Sequence, residues 1–241
     1  MRIFSKTDIG KAREVNEDYF YIPIEDEIKL FILADGMGGY NGGEIASKLA
    51  SNAVKSYIAN NFDTIPKDND NILKLIQDAI EYANMAVYDK SKTTAELEGM
   101  GTTLEICLIY NNKVYIGHVG DSRVYRIRKN NIKRLTTDHS YVQKLVKDGT
   151  ITEEQAMVHP KKNMLTKALG CTSYIEPDIM YDIILDNDII IMTTDGLTNM
   201  IQDDQIYNIV KQDINLATER LLQQANELGG YDNITVIIIE N

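Results

Sequence analysis

Residues 18–35 read Asp18-Tyr19-Phe20-Tyr21-Ile22-Pro23-Ile24-Glu25-Asp26-Glu27-Ile28-Lys29-Leu30-Phe31-Ile32-Leu33-Ala34-Asp35. Two runs rich in aromatic and β-branched residues, 19–24 and 28–34, flank the acidic turn Glu25-Asp26-Glu27. Runs of that composition, bounded by polar residues, read as strands. A connection this short permits only antiparallel neighbours. In such a hairpin the start of one strand lies beside the end of the next. The pattern therefore predicts that Asp18 and Asp35 are neighbours in space.

Further strand-like runs occupy 103–110, 113–119, 123–128, 179–185, 189–194 and 234–240. Asn111-Asn112 and Asp186-Asn187-Asp188 are again turns too short for anything but antiparallel pairing. Helical periodicity appears in 44–60, with apolar residues at Ile45, Leu49, Val54 and Ile58. It recurs in 71–88, at Ile72, Leu75, Ile76, Ala79, Ile80, Ala83 and Val87, and again in 216–228. The first two helices follow one another with no strand between them, which excludes the βαβ alternation of a doubly wound sheet. Antiparallel strands with grouped helices predict an α+β sandwich. Residues 66–70 read as an exposed helix–helix loop. The polar, strand-free stretch 137–170 reads as an insertion or flap. No internal repeat or low-complexity segment is present.

A chain of 241 residues is one large domain or two small ones, and the first is expected here. With 44% hydrophobic and 25% charged residues, it can bury a core without disulfides or a structural metal. Twenty-five Lys and Arg against 36 Asp and Glu leave a formal charge of -11. That charge repels phosphate backbones and argues against a general nucleic-acid binder, but it favours cations. Cys107 and Cys171 form no disulfide framework and match no zinc spacing, which fits a reducing compartment. Residues 1–6 contain no apolar signal core, and the apolar runs are too short to span a bilayer. A cytoplasmic location is expected.

Five aspartates fall at the ends of the expected strands: Asp18, Asp35, Asp121, Asp195 and Asp232. Several stand beside Gly, Ser or Asn, as in Asp35-Gly36, Gly120-Asp121-Ser122, Asp195-Gly196 and Asp232-Asn233. Any one of these is explained as a turn residue. Five on one rim are not, because clustered carboxylates cost stability unless a cation neutralises them. Oxygen-only ligands suit Mg²⁺ or Mn²⁺ rather than zinc. Two such ions can activate a bridging water and clamp a phosphoryl group.

The ordered motifs resemble those of the metal-dependent type 2C protein phosphatases in their compact bacterial form. The series opens with Asp8-Ile9-Gly10-Lys11-Ala12-Arg13-Glu14-Val15-Asn16-Glu17-Asp18 and Ala34-Asp35-Gly36-Met37-Gly38-Gly39. It continues through Gly101-Thr102-Thr103, His118-Val119-Gly120-Asp121-Ser122-Arg123 and Leu135-Thr136-Thr137-Asp138-His139-Ser140. It closes with His159-Pro160, Leu165-Thr166-Lys167-Ala168-Leu169-Gly170, Thr194-Asp195-Gly196-Leu197 and Asp232-Asn233-Ile234-Thr235.

The resemblance implies a four-layer αββα sandwich and the removal of phosphate from phosphoserine and phosphothreonine in proteins. It implies two Mn²⁺ or Mg²⁺ ions, with a third often seen in bacterial members. Asp35 would bridge two ions, with the Gly36 carbonyl as a further ligand, and Asp195 and Asp232 would complete the second. Glu17 and Asp18 would act largely through ion-bound water, and Asp121 with Asp195 would hold the third ion. Arg13 would grip the substrate phosphate, a task its planar fork suits better than a Lys does. Phosphorylated proteins, the targets of a cognate Ser/Thr kinase, are the implied partners of a monomeric enzyme. Neither a nucleic acid nor a membrane is implied.

The sequence departs from many eukaryotic members, which carry a His where Met37 stands; Met cannot donate a proton, so the general acid is unassigned. His159 is a weak candidate for it, while His118 and His139 read as structural. Gly38, Gly39, Gly42 and Gly43 do not make a P-loop, since no Gly-Lys-Ser/Thr follows, and read as a turn beside the metals. The flap would border the cleft and help choose substrates. Two other readings are a catalytically silent phosphopeptide-binding module on the same fold and a metal-dependent nuclease. The intact acids disfavour the first, and the net charge disfavours the second.

Overall fold

The computed structural model describes residues 1–24, 28–39 and 42–241. The turn Glu25-Asp26-Glu27 lies outside the described residues. In chain order the first elements are β1 (Arg2–Asp8), β2 (Asp18–Tyr21), β3 (Leu30–Met37), α1 (Gly42–Asn61) and α2 (Asn69–Thr93). Next come β4 (Gly101–Thr102), β5 (Leu104–Tyr110), β6 (Lys113–Val119), β7 (Arg123–Arg128), β8 (Asn131–Arg134), α3 (Tyr141–Lys147) and α4 (Glu153–Met157). The chain ends with β9 (Asp178–Ile183), β10 (Ile189–Thr193), α5 (Asp195–Thr198), α6 (Asp203–Gln212), α7 (Ala217–Glu227) and β11 (Ile234–Glu240).

The strands form two antiparallel sheets. One runs β1-β11-β10-β7-β8, and the other runs β2-β3-β5-β6-β9 with β4 paired to the end of β3. Three separate apolar cores show how the layers stack. The first joins α1 and α2, through Val54, Ile58, Ile72, Ile76 and Ile80, to Ile32, Leu104 and Ile106 of one sheet. The second lies between the sheets, where Phe31, Leu33 and Ile116 meet Ile190, Met192 and Ile237. The third joins Ile191, Val236 and Ile238 to Ile206, Val210, Leu221 and Leu222 of α6 and α7. Three cores separate four layers, helix–sheet–sheet–helix, which bears out the expected α+β sandwich.

Central strands such as β10 and β11 are apolar on both faces because each face meets a different core. Fully burying one Ile or Leu side chain contributes on the order of 2 kcal/mol, so these cores carry the fold. In α2 the apolar positions Ile72, Leu75, Ile76, Ala79, Ile80, Ala83 and Val87 form one buried stripe. Its start is fixed by Asp68, whose side chain accepts a hydrogen bond from the Asn71 N–H at 2.9 Å. The helix therefore begins inside the expected 66–70 loop.

The sequence reading missed β1, β8 and α6. Two of these, β1 and β8, are the two edges of one sheet, and both show half-exposed, mixed-polarity patterns. Stretch 137–170 contains only the short helices α3 and α4, as expected for a flap. Among the described residues no helix is long and apolar enough to cross a membrane.

Candidate metal centre

Asp18 and Asp35 are direct cross-strand partners in the β2–β3 register, as the hairpin logic predicts. Asp35 is not at a strand end, however. Strand β3 runs on to pair Gly36 with Thr102 and Met37 with Gly101 of β4, so Asp35 sits inside the ladder. Its backbone is held on both sides: its N–H donates to Thr103 Oγ1 at 2.9 Å, and its carbonyl accepts from Thr102 Oγ1 and Thr103 N–H. Asp195 does not close a strand either; it is the first residue of α5, separated from β10 by Thr194. Asp232 lies just before β11, and Asp121 lies in the turn between β6 and β7, as expected.

These acids are brought together across the two sheets. Each is half-buried as a residue, but crowding by protein makes their charges expensive. Desolvation, then the neighbouring Asp18, Asp195, Asp121 and Asp232, push the Asp35 carboxyl well above its ordinary value. Asp195 is pushed to about 6 by desolvation and the charge of Asp232, while its hydrogen bonds with Asn199 and Asp35 pull the other way. Asp18 is pushed up to about 7, chiefly by desolvation, against the hydrogen bonds it accepts from Thr235 and Thr194. Asp121 is raised by desolvation and by Asp195.

Several side chains that the sequence reading did not single out orient this rim. Thr235 Oγ1 and Thr194 Oγ1 both donate to Asp18 Oδ2, at 2.6 and 3.0 Å. Asn199 donates to Asp195 Oδ2 at 2.8 Å. Their signal in the sequence is weak, because Thr is a normal strand residue and the partners are 176 to 217 positions apart for the two Thr contacts.

The donor set fits a hard divalent cation. It is all oxygen, and its charges raise one another's pKa. Asp18 Oδ1, left over after the two Thr contacts, is buried with no hydrogen-bond partner among the described residues. Gly36 is pressed so closely that a side chain there would reach within 2.1 Å of the Gly43 carbonyl oxygen, and only glycine permits that approach. Among the described residues no three Asp, Glu, His or Cys side chains already stand together as a closed ligand set. The fold supplies charge-coupled neighbours on one rim.

Glu17 joins the rim with its carboxyl raised mainly by desolvation. Its N–H donates to Asn233 Oδ1 at 2.8 Å. Arg13 reaches the rim from the loop after β1, and its Nη2 donates to Asp232 Oδ2 at 2.8 Å while the side chain remains 47% exposed. Asp121 and Asp195 also line a cavity of about 450 Å³, together with Val142, Gln143 and Met157 of α3 and α4. Stretch 137–170 therefore lines this cavity.

The histidines fall elsewhere. His118 is fully buried and contacts Glu105 Oε1 through Nδ1 at 2.5 Å and the Thr137 carbonyl through Nε2 at 2.8 Å. His139 stacks on it at 4.4 Å and accepts the Gly120 N–H at 3.1 Å through Nδ1. Both are held by contacts within the fold, which fits the reading of them as structural. His159 accepts from the Lys161 N–H within its own turn and does not line the cavity. Met37 continues the β3–β4 ladder.

Comparison with known proteins places this arrangement. The family described as "Protein phosphatase 2C" matches residues 10–228. The protein phosphatase PhpP of Streptococcus pneumoniae serotype 2 (strain D39 / NCTC 7466) is 38% identical, over 99% of this chain and 97% of that protein. A solved serine/threonine phosphatase of S. agalactiae superposes with a TM-score of 0.90 at 35% identity, covering 98% of each chain. The catalytic domain of the serine/threonine phosphatase PstP, solved in complex with two manganese ions, superposes with a TM-score of 0.85 at 32% identity. It covers 98% of this chain and 96% of that one. The chain belongs to the protein phosphatase 2C family. It is a phosphoprotein phosphatase, a hydrolase of phosphoric monoesters.

Proposed function

We propose that this chain removes phosphate from phosphoserine and phosphothreonine of proteins at a centre of two Mn²⁺ or Mg²⁺ ions, with a third ion held by Asp121 and Asp195. The relatives named as serine/threonine phosphatases and the manganese-bound PstP domain support this reading. The observation that carries it is the charge-coupled rim of Asp18, Asp35, Asp195 and Asp232, with Asp18 Oδ1 left unpaired. Asp35, the Gly36 carbonyl, Asp195 and Asp232 would hold the two ions, and Glu17 and Asp18 would act on them largely through water. When bound, such ions lower the pKa of a coordinated water and offset charge on the phosphoryl oxygens.

The protein's own groups do the rest. Arg13 releases part of its contact with Asp232 to grip two phosphate oxygens, which fixes the phosphorus in line for attack. Thr194, Thr235 and Asn199 keep the carboxylates aimed into the cleft. No protein nucleophile is required: Cys107 is buried between the sheets, and burial raises its thiol far above the range where it ionises.

The whole chain acts as one catalytic domain, with the flap over 137–170 contributing to the choice of protein substrate. It works as a monomer in the cytoplasm, opposing a Ser/Thr kinase on shared targets. Hydrolysis of p-nitrophenyl phosphate and of a phosphothreonine peptide, with Mn²⁺ and with EDTA, tests the reading. Turnover that depends on Mn²⁺ and vanishes in EDTA supports it. Equal turnover under both conditions overturns it.

A further inference from the structure

Loop 9–17, between β1 and β2, carries both Arg13 and Glu17, and it is fastened to the segment 230–233 at several points along its length. Lys11 N–H and Ala12 N–H donate to the Gly230 carbonyl at 2.7 and 3.2 Å. At Gly10 the backbone presses so close to Asp232 that a side chain would meet its carbonyl oxygen at 2.2 Å. Three further fastenings come from one residue. Asn233 Nδ2 donates to the Ile9 carbonyl at 2.9 Å and to the Val15 carbonyl at 3.0 Å, one at each shoulder of the loop. Its Oδ1 accepts the Glu17 N–H at 2.8 Å. Asn233 is 3% exposed, and these three bonds use both amide hydrogens and the amide oxygen.

We infer that Asn233 is a positioning residue: by tying the two shoulders of loop 9–17 it aims Arg13 at the substrate phosphate. The inference rests on the reading of Arg13 as the phosphate-gripping group. Among the described residues the Arg13 side chain has one hydrogen-bond partner, Asp232, and it is half exposed. A long side chain on an untied loop would spread over many positions, and binding would then have to order it. A loop held at both shoulders has met that cost before substrate arrives. The amide suits this role because it must both donate and accept. An aspartate of the same shape still accepts from Glu17 N–H, but as a carboxylate it cannot donate to two carbonyls.

The test is a double-mutant cycle on the Mn²⁺-loaded enzyme with Arg13→Ala, Asn233→Ala, Asn233→Asp and the combinations. The readouts are kcat and KM for p-nitrophenyl phosphate and the inhibition constant of inorganic phosphate. Loss of two hydrogen bonds that hold the loop should raise KM and the phosphate inhibition constant roughly tenfold, with kcat falling less. In the Arg13→Ala background the same Asn233 change should add less than about twofold, since there is no guanidinium left to aim. Should Asn233→Ala fail to fold, Asn233→Asp carries the test. Its added charge repels phosphate whether or not Arg13 is present, so only the positioning effect vanishes in the double variant.

Unchanged KM and inhibition constants in both Asn233 variants would overturn the inference. An effect that persists in full without Arg13 would overturn it too. If Arg13→Ala leaves KM unchanged, the phosphate role of Arg13 falls first, and the positioning role falls with it. Amide hydrogen exchange gives a readout independent of turnover: Lys11 and Ala12 should exchange faster in Asn233→Ala while β10 and β11 keep their protection.

Discussion

Glu105 and the cleft acids meet the same difficulty in opposite ways. Glu105 is fully enclosed between strands, and His118, equally enclosed, faces it through a direct contact. Glu105 Oε2 has no hydrogen-bond partner among the described residues, but the group is engaged through Oε1. Asp18, Asp35, Asp121 and Asp195 are only half-buried, yet among the described residues none of them has an ion-pair partner from the protein. Within the rim, among the described residues, only Asp232 has one, Arg13. One region is a buried carboxyl–imidazole pair completed by the chain itself. The other is a set of like charges that desolvation and mutual repulsion push toward their protonated forms. A carboxylate pushed up beside its own cationic partner belongs to the architecture; several pushed up by one another belong to a ligand.

The comparison breaks most sharply at Asp195. Asn in its place removes a shared oxygen ligand and one of the mutually repelling charges. Turnover should fall on the order of a thousandfold or more. The melting temperature of the chelated protein should hold or rise. Near-normal turnover with unchanged metal dependence would show that the site has been misplaced.

Glu105→Ala should do the reverse. Breaking a buried pair leaves His118 without its partner and costs about 3–5 kcal/mol, while kcat and KM of the folded enzyme stay within about twofold. Replacing both partners, Glu105→Leu with His118→Leu, should recover most of that loss, because an apolar pair needs no charge compensation. Urea unfolding and steady-state kinetics on the same preparations check both. A Glu105 variant that loses activity without losing stability would erase the distinction.

The rim was legible in the sequence for a local reason and incompletely legible for a long-range one. Asp18 and Asp35 could be paired because a short turn fixes hairpin register, and Asp121, Asp195 and Asp232 could be placed because each borders an apolar run. The continuation of β3 past Asp35 was hidden, since Gly36-Met37 pairs with a two-residue strand that has no pattern of its own. Strands β1 and β8 were hidden because an edge strand needs few apolar residues; Asn131-Ile132-Lys133-Arg134 has one. Helix α6 buries only Ile206 and Val210 and begins with Asp203-Asp204, so its stretch read as polar. Thr194, Thr235 and Asn233 look in sequence like strand and turn residues. Their partners lie across the two sheets, and no spacing rule reaches that far.

A third measurement sharpens the contrast by supplying the cation. Titrating Mn²⁺ into the chelated protein should stabilise it by about 2.7 kcal/mol at a hundredfold excess over Kd, a rise in melting temperature of roughly 5–10 °C. Asp195→Asn should lose most of that rise, and Glu105→Leu with His118→Leu should keep it. A rise of equal size in all three proteins would mean that the ion binds away from the rim.

The smallest effect concerns pH and is read as a change of sign. Desolvation pushes Glu105 from 4.5 to about 7, against the pull of His118. Burial alone would lower His118 from 6.5, but Glu105 and the Thr137 carbonyl outweigh it and raise the ring. Both groups thus hold protons in the folded protein that the unfolded chain releases. Their contribution is complete below about 4.5 and is lost as pH climbs past 7 and through the folded value of His118. In Glu105→Gln the carboxylate is gone and desolvation dominates, so His118 is held below 6.5 and buried neutral. Its contribution is then present above pH 6.5 and lost on acidification. With Mg²⁺ saturating the rim in both proteins, unfolding free energy between pH 6 and 8 should fall for the parent and rise for Glu105→Gln. The divergence should be on the order of 1 kcal/mol. Parallel slopes would mean that Glu105 does not set the protonation of His118, and the buried pair would no longer stand as the self-completed counterpart of the cleft.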